Sequence, residues 1–135
     1  MIQGSCQCGC VQYAADSVIS DLSHCHCSMC RKLHGAAFAT FAGVERDSFR
    51  WLVGKDVLKT YASSEKIDRL FCRNCGSQLV VFYKPEPEIA YLTMGTIDDN
   101  PDRPPAYHQF VSSKAPWHKI TDGQPQFAAW PNENA

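Results

Sequence analysis

Hydrophobic residues occur along this chain in short runs separated by polar residues and turn formers, and many of these runs are rich in β-branched and aromatic side chains. Such runs are typical of strands. No segment keeps a helical period over several turns. The pattern therefore predicts a mainly β fold, with strands at 18–25, 36–44, 57–62, 67–72, 78–83, 89–94 and 107–111.

One short helical segment is predicted within a cysteine-rich stretch. Ser28 is a good capping residue and would begin a single turn that runs through Arg31. Gly35 favours the left-handed conformation that ends a helix. From Ser112 onward the chain has the character of coil, so at most a turn or two of helix is expected in the whole fold.

Length and charge narrow the class of protein. A chain of 135 residues is long enough for one domain with its own core, and residues 1–135 are predicted to form it. Thirteen basic and fourteen acidic residues nearly cancel, which argues against a broad surface for nucleic acid or anionic membranes. The sequence shows neither a recognisable signal peptide nor an apolar run of the ~20 residues that cross a bilayer. We therefore expect a soluble, cytoplasmic protein with neither membrane nor nucleic acid as partner.

Eight cysteines are the main chemical feature of the chain. Their C-x-C and C-x-x-C spacings favour metal binding over disulfides. Cys72 and Cys75 are followed by Gly76, as in a zinc knuckle; the alternative, a thioredoxin-like redox pair, would precede a helix, whereas here a β-rich run follows. A knuckle supplies two ligands and needs two more.

The remaining ligands of this first site are predicted near the N-terminus. Cys6, Cys8 and Cys10 alternate with other residues, so an extended backbone would place all three thiols on one face. Cys6 and Cys8 together with the knuckle would make a closed four-cysteine site, which is the usual form of structural zinc. Cys10 is then left over. Because it continues the alternation it could compete for this site, but it is expected to be a small buried residue without a role.

A second group is formed by Cys25, Cys27 and Cys30, which offer three thiolates within six residues. Catalytic zinc typically has three protein ligands and an open position, so we interpret this group as the catalytic site. His24 or His26 could instead close it, although in an extended backbone both point away from the neighbouring cysteines. His34, His108 and His118 are isolated in sequence and are expected at the surface or hydrogen-bonded internally.

Three thiolates make zinc a soft centre that suits a substrate thiol at the fourth position. Addition of a thiol to a small aldehyde, or its reversal, is the simplest chemistry for such a site. Arg31 and its neighbour Lys32 are candidate contacts for substrate carboxylates. The aromatic residues are expected in the core or at the rim of the site; they are Phe38, Phe41, Tyr61, Trp117 and Trp130.

The motifs at 4–9, 25–32 and 71–77, with those at 95–99, 111–117 and 122–123, resemble the glutathione-dependent formaldehyde-activating enzyme family, also named for centromere protein V. The resemblance implies a zinc-stabilised β-tent fold with two Zn2+ ions per chain. It implies the same partition into structural ligands (Cys6, Cys8, Cys72, Cys75) and ligands around the catalytic ion (Cys25, Cys27, Cys30). Cys10 departs from the family pattern.

The resemblance also implies an activity. The founding activity of the family is that of a carbon–sulfur lyase, which joins formaldehyde to glutathione and gives S-hydroxymethylglutathione. Glutathione and formaldehyde are therefore the expected substrates. The alternative is a non-enzymatic zinc-stabilised interaction module.

Overall fold

The computed structural model describes residues 1–102 and 104–131. These residues form two compact units. The larger unit contains residues 1–20 and 42–102, and the smaller unit contains residues 21–41 and 104–131. That residues 1–135 form a single domain stays a prediction.

The described residues are mostly strands, with one α-helix and several 3-10 turns. In chain order the elements are β1 (Ile2–Ser5), β2 (Gln12–Ala15), β3 (Leu22–Cys25), α1 (Ser28–His34), β4 (Ala39–Glu45), β5 (Arg50–Val53), β6 (Leu58–Ser64), β7 (Ile67–Cys72), β8 (Gln78–Tyr83), β9 (Ile89–Thr93) and β10 (Ala106–Gln109). No helix among these residues is both long and apolar enough to cross a membrane.

The larger unit contains two sets of strands. Strands β1, β2 and β5 form an antiparallel sheet in that order. The second set has the order β4-β9-β8-β7-β6, in which β9, β8, β7 and β6 pair antiparallel with their neighbours. The inward-facing side chains of both sets form one hydrophobic core, in which Val11, Val44, Leu79 and Leu92 are fully buried. Their burial is the main force that holds this unit together.

The smaller unit is built on β3, which pairs in parallel with β10 and antiparallel with the first residues of β4. Its interior contains polar side chains: His26 and His108 are buried, with exposed fractions of 0% and 1%. Buried polar groups require hydrogen-bond partners, so this interior depends on specific contacts as well as on apolar burial.

Helix α1 is longer than predicted, and its cap lies one residue earlier. Cys27, not Ser28, is the N-cap: its backbone is extended and its Sγ accepts a hydrogen bond from the Cys30 amide at 3.3 Å. The sulfur takes the place of the hydroxyl that usually caps a helix. Gly35 ends the helix in the left-handed conformation, as predicted.

The strand predictions differ from the structure mainly near cysteines and glycines. Strands at 67–72 and 78–83 are confirmed, whereas the extended backbone expected at 6–10 is wrong. There the Gly9 amide bonds the Cys6 carbonyl, and the Cys6 amide bonds the Val11 carbonyl, so the segment folds into turns. Strand β10 ends early because Phe110 adopts a left-handed backbone at φ 58°. Strands β1, β2 and β5 were not predicted.

Candidate metal centres

Four cysteines of the larger unit converge at the ends of its strands. Cys6 and Cys8 lie in the turns after β1, Cys72 ends β7, and Cys75 lies in the turn that leads to β8. All four sulfurs lie within 4.8 Å of one another, with Cys6 and Cys8 3.6 Å apart and Cys8 and Cys72 3.8 Å apart. We call them the four-cysteine group. They are the sulfurs that the sequence predicted for the first site.

Hydrogen-bond donors surround the four-cysteine group. The Val11 amide donates to Cys6 Sγ at 3.2 Å, and the Asn74 side-chain amide donates to Cys8 Sγ at 3.3 Å. The Ser77 hydroxyl, 3.2 Å from Cys75 Sγ, lowers the pKa of that thiol to about 5. Such donors favour the thiolate form that metal binding requires.

Cys10 lies beside this group but outside it. Its thiol is exposed, so the expectation of a buried residue was wrong. The turn at 6–10 replaces the predicted strand and leaves Cys10 at the surface. The Asn74 amide that bonds Cys8 also approaches Cys10 Sγ, at 3.8 Å. That Cys10 has no role stays a prediction.

Three cysteines of the smaller unit converge around the start of α1. Cys25 ends β3, Cys27 caps the helix and Cys30 is buried in its first turn, and their sulfurs lie within 4.8 Å of one another. We call them the three-cysteine group. Hydrogen bonding to Cys27 and then to Cys30 raises the pKa of the Cys25 thiol. Among residues 1–102 and 104–131 no histidine, carboxylate or further cysteine joins this group, His24 and His26 included.

Two hydrogen bonds to backbone carbonyls hold residues 25–31 in place. The His26 amide donates to the Gln109 carbonyl at 3.0 Å, which extends the pairing of β3 with β10. Arg31 Nε donates to the Ser113 carbonyl at 3.2 Å. This half-buried arginine was the predicted anion contact, and the bond fixes the direction of its guanidinium.

Four histidines of the smaller unit gather around Phe38, an arrangement that the sequence did not reveal. His24, His26 and His118 have ring centroids 5.1, 4.8 and 5.5 Å from that of Phe38, and His108 lies 5.7 Å away. His24 and His108 face each other in the parallel pair of β3 and β10. The only sequence signal is that both residues stand on predicted strands.

His108 connects this cluster to a carboxylate. Its Nδ1 lies 2.8 Å from His26 Nε2, and its Nε2 lies 2.8 Å from Asp122 Oδ2, so the expectation that His108 is hydrogen-bonded internally is confirmed. Burial lowers the pKa of His26 to about 4 and also lowers that of His24. The Gln124 amide and then the His108 ring lower the pKa of the Asp122 carboxyl.

The predicted aromatic residues divide between core and surface. Phe41 is buried and contacts the ring of His34, and Trp130 packs edge-on against Phe110. Tyr61 and Trp117 are exposed by 51% and 71%. Of these five aromatic residues, Phe38 is the one that packs against His24 and His26.

Comparison with known proteins identifies the family of this chain. The family model described as glutathione-dependent formaldehyde-activating enzyme matches residues 1–113. The chain belongs to this family. It is 30% identical over 146 residues to the "Putative glutathione-dependent formaldehyde-activating enzyme" of Halomonas elongata, across 99% of this chain and 91% of that protein. It is 29% identical over 114 residues to an uncharacterized lyase of Schizosaccharomyces pombe, across 74% and 81% of the two chains.

A solved structure supports the fold independently. The crystal structure of a Rhodobacter sphaeroides protein matches with a TM-score of 0.64 at 19% identity, across 93% of this chain and 98% of that one. At this identity the likeness shows the fold alone. The predicted family and the mainly β fold with its cysteine groups are thus confirmed.

The donor chemistry of both cysteine groups fits a metal ion. Sulfur-only donor sets select zinc over the hard cations that prefer oxygen. Two such groups in a member of this family are consistent with zinc binding. Because the family is described as one of enzymes and a relative is named a lyase, membership also supports an enzymatic activity.

Proposed function

We propose that the chain is a zinc-dependent carbon–sulfur lyase that acts on a thiol–aldehyde adduct, with glutathione and formaldehyde as the default pair. The observation that carries the proposal is the three-cysteine group, which no histidine, carboxylate or further cysteine joins in the described part of the chain. The name of the Halomonas relative supports the choice of substrates. The reducing cytoplasm, where thiols stay free, is the expected compartment.

In this proposal the two groups have different roles. The four-cysteine group holds a structural zinc ion, because four thiolates close a tetrahedral site. Cys25, Cys27 and Cys30 hold the catalytic zinc ion. Zinc bound there would supply a Lewis acid with a position for substrate.

The reaction balances without a redox partner. In the forward direction the thiol sulfur forms a bond to the aldehyde carbon, and the electrons of the C=O double bond move to its oxygen. The thiol proton ends on that oxygen, and the product is a hydroxymethyl thioether. The reverse reaction breaks the carbon–sulfur bond and restores aldehyde and thiol.

The protein itself positions the substrate in this scheme. Arg31 Nε donates to the Ser113 carbonyl, and within the described residues the two terminal nitrogens of Arg31 make no hydrogen bond. They can therefore pair with a carboxylate, of which glutathione has two. The buried Cys25 and Cys30 keep the sulfurs fixed relative to that arginine, which follows Cys30 directly on α1.

Zinc stoichiometry combined with product NMR tests the proposal. We expect two zinc ions per chain and, with 13C-formaldehyde, exchange between free aldehyde and glutathione adduct faster than the spontaneous rate. A panel of other thiols and aldehydes establishes the preferred pair. Cys27→Ser is the control: it should stay folded, retain one zinc ion and lose the acceleration. A folded protein with two zinc ions that accelerates no pair would contradict the proposal and leave the interaction module.

A further inference from the structure

Asp122, His108 and His26 form a linear chain of side-chain hydrogen bonds in the smaller unit. Both links are 2.8 Å long. The Asp122 side chain is 42% exposed, whereas His108 and His26 are 1% and 0% exposed. These hydrogen bonds thus connect a surface carboxylate to a buried imidazole. That imidazole belongs to His26, which lies between Cys25 and Cys27 in sequence.

The carboxylate determines which nitrogens carry protons. An ionised carboxylate only accepts hydrogen bonds, so Nε2 of His108 must donate to Asp122. In neutral His108 the other nitrogen, Nδ1, bears a lone pair and accepts from Nε2 of His26. His26 then has its proton on Nε2 and a lone pair on Nδ1.

The His26 ring is enclosed by other rings of the smaller unit. Its centroid is 5.0 Å from that of His108, 6.1 Å from that of His118 and 4.8 Å from that of Phe38. These contacts fix the plane of the imidazole and with it the direction of both ring nitrogens.

The Nδ1 atom of His26 is buried and has no hydrogen-bond partner among the described residues. Leaving a buried polar atom without a partner costs about 1–3 kcal/mol. Such atoms are rare in native proteins and are explained by bound water, a ligand or a catalytic role. Here the unpartnered atom belongs to the residue that joins two cysteines of the three-cysteine group.

We propose that His26 contacts the substrate: its Nδ1 lone pair accepts a hydrogen bond from the hydroxyl of the thiol–aldehyde adduct, and His108 and Asp122 are positioning residues that hold it in this tautomer. The inference rests on the proposed function. The adduct has this hydroxyl as a hydrogen-bond donor. An S-ethyl compound of the same shape has a methyl group in its place and cannot donate. Its oxygen becomes the carbonyl oxygen when the carbon–sulfur bond breaks, so an acceptor fixed on this group orients the reacting carbon.

The position of His26 in the chain suits this contact. Its Cα is about 3.8 Å from the Cα atoms of Cys25 and Cys27, as for any consecutive residues. His26 is therefore adjacent in the chain to two of the three residues that carry the sulfurs. The ring also packs at 4.8 Å from Phe38, which excludes water from one side of it.

NMR of 15N-histidine-labelled, zinc-loaded protein tests the tautomer directly, because two-bond couplings distinguish a protonated from a bare ring nitrogen. We expect His26 as a single Nε2–H tautomer. Asp122→Asn should mix the tautomers of His108 and His26, since an amide can present either its oxygen or its NH2 group. Asp98→Asn is the matched control: Asp98 accepts a hydrogen bond from Ser5 in the larger unit, so its loss should leave the His26 signals unchanged. A proton on His26 Nδ1 in the unmodified protein would overturn the proposal.

Two glutathione derivatives test the contact. S-hydroxymethylglutathione, formed from excess glutathione and limiting 13C-formaldehyde, has a hydroxyl where S-ethylglutathione has a methyl group. We expect the first to shift the His26 Nδ1 resonance and the second, bound to the same zinc-loaded protein, to leave it near its free value. Equal shifts with both compounds, or none with either, would overturn the hydroxyl contact.

Kinetics separate this inference from the proposed function. Asp122→Asn should lower kcat about 10- to 100-fold, as for other partners that orient a site, with unchanged zinc content and little change in KM. Asp122→Glu, which restores the carboxylate, should recover part of the loss. The inference alone fails if the protein accelerates the reaction but substitution of Asp122 changes neither kcat nor the His26 Nδ1 resonance. If no thiol–aldehyde pair is accelerated, the proposed function fails and the substrate contact fails with it.

Discussion

Gly54 allows a close approach of two backbone segments that a single methyl group should disrupt. Its φ is 84°, a left-handed value that L side chains rarely adopt. A Cβ built there lies 2.8 Å from the Cys10 carbonyl carbon and 2.9 Å from the Val11 Cα, and still nearer the Cys10 carbonyl oxygen. These are backbone atoms and cannot rotate away. Gly54→Ala must therefore displace the segment at 10–11, next to the turns that carry Cys6 and Cys8.

The expected loss has two parts. The left-handed conformation costs an alanine about 1–2 kcal/mol. Overpacking against a fixed backbone adds roughly 1–3 kcal/mol. Gly76 provides the matched control, because its φ is 81° and a Cβ there meets no atom within 4 Å. Gly76→Ala should therefore show only the first part.

Urea unfolding of both variants at equal zinc concentration measures the difference, because bound zinc shifts apparent stability. We expect the free energy of unfolding of Gly54→Ala to lie about 1–3 kcal/mol below that of Gly76→Ala. At roughly 3–5 °C per kcal/mol for a chain of this size, its melting temperature should be about 3 to 15 °C lower. Equal losses, within about 0.5 kcal/mol, would refute the steric argument.

Three further substitutions test other parts of the structure. Cys72→Ser should unfold the chain or sharply lower its soluble yield, because closed zinc sites contribute ~10–16 kcal/mol in small peptides and whole domains are stable by only ~5–15 kcal/mol. Cys27→Ser should keep a cooperative melting transition but lose one zinc ion, as measured by metal analysis. Tyr13→Phe should flatten the alkaline fall in stability: burial raises the pKa of Tyr13 from 10.0 to about 12, so its contribution is present below pH 10 and lost as pH rises through 12.

Each of these has a clear contrary result. A soluble Cys72→Ser protein with an unchanged melting temperature would show that the four-cysteine group is not structural. Global unfolding of Cys27→Ser would mean that the second ion also holds the fold. For Tyr13→Phe, the fall in the free energy of unfolding between pH 8 and 12 should be about 2 kcal/mol smaller than for the parent. Parallel curves over this range would show that Tyr13 ionises as readily in the folded state as in the unfolded state.

The cysteine groups were predictable because each is built from ligands that are close in sequence, and because a knuckle needs two further ligands. Cys25, Cys27 and Cys30 lie within a single turn of chain, and Cys72 and Cys75 form a knuckle, so spacing alone brings each set together. The membership of Cys6 and Cys8 was predicted correctly from a wrong conformation. Two residues of separation bring sulfurs close in a turn as well as in a strand.

The hydrogen bonds that join Asp122, His108 and His26 were not predictable, because they depend on the register of strands that are far apart in sequence. His26 meets His108 only because β10 adds to β3 in parallel, and a shift of one residue would turn His108 to the other face. Asp122 lies in a stretch that reads as coil, where no periodicity marks a partner. Strand β5 was missed because the exposed Leu52 and Val53 give it no alternation of buried and exposed positions. Strand β1 does alternate in burial, but one of its two buried positions is Gly4, which has no side chain to mark the pattern.

The parallel pairing of β3 with β10 also determines when the thiols are protected during synthesis. Cys25, Cys27 and Cys30 leave the ribosome together, whereas the strand that pairs with β3 is translated some eighty residues later. At about 5–20 residues per second, this leaves the nascent trio uncovered for on the order of 4–16 s. These sulfurs therefore spend that time without the strand pairing that holds Cys25 in the folded smaller unit.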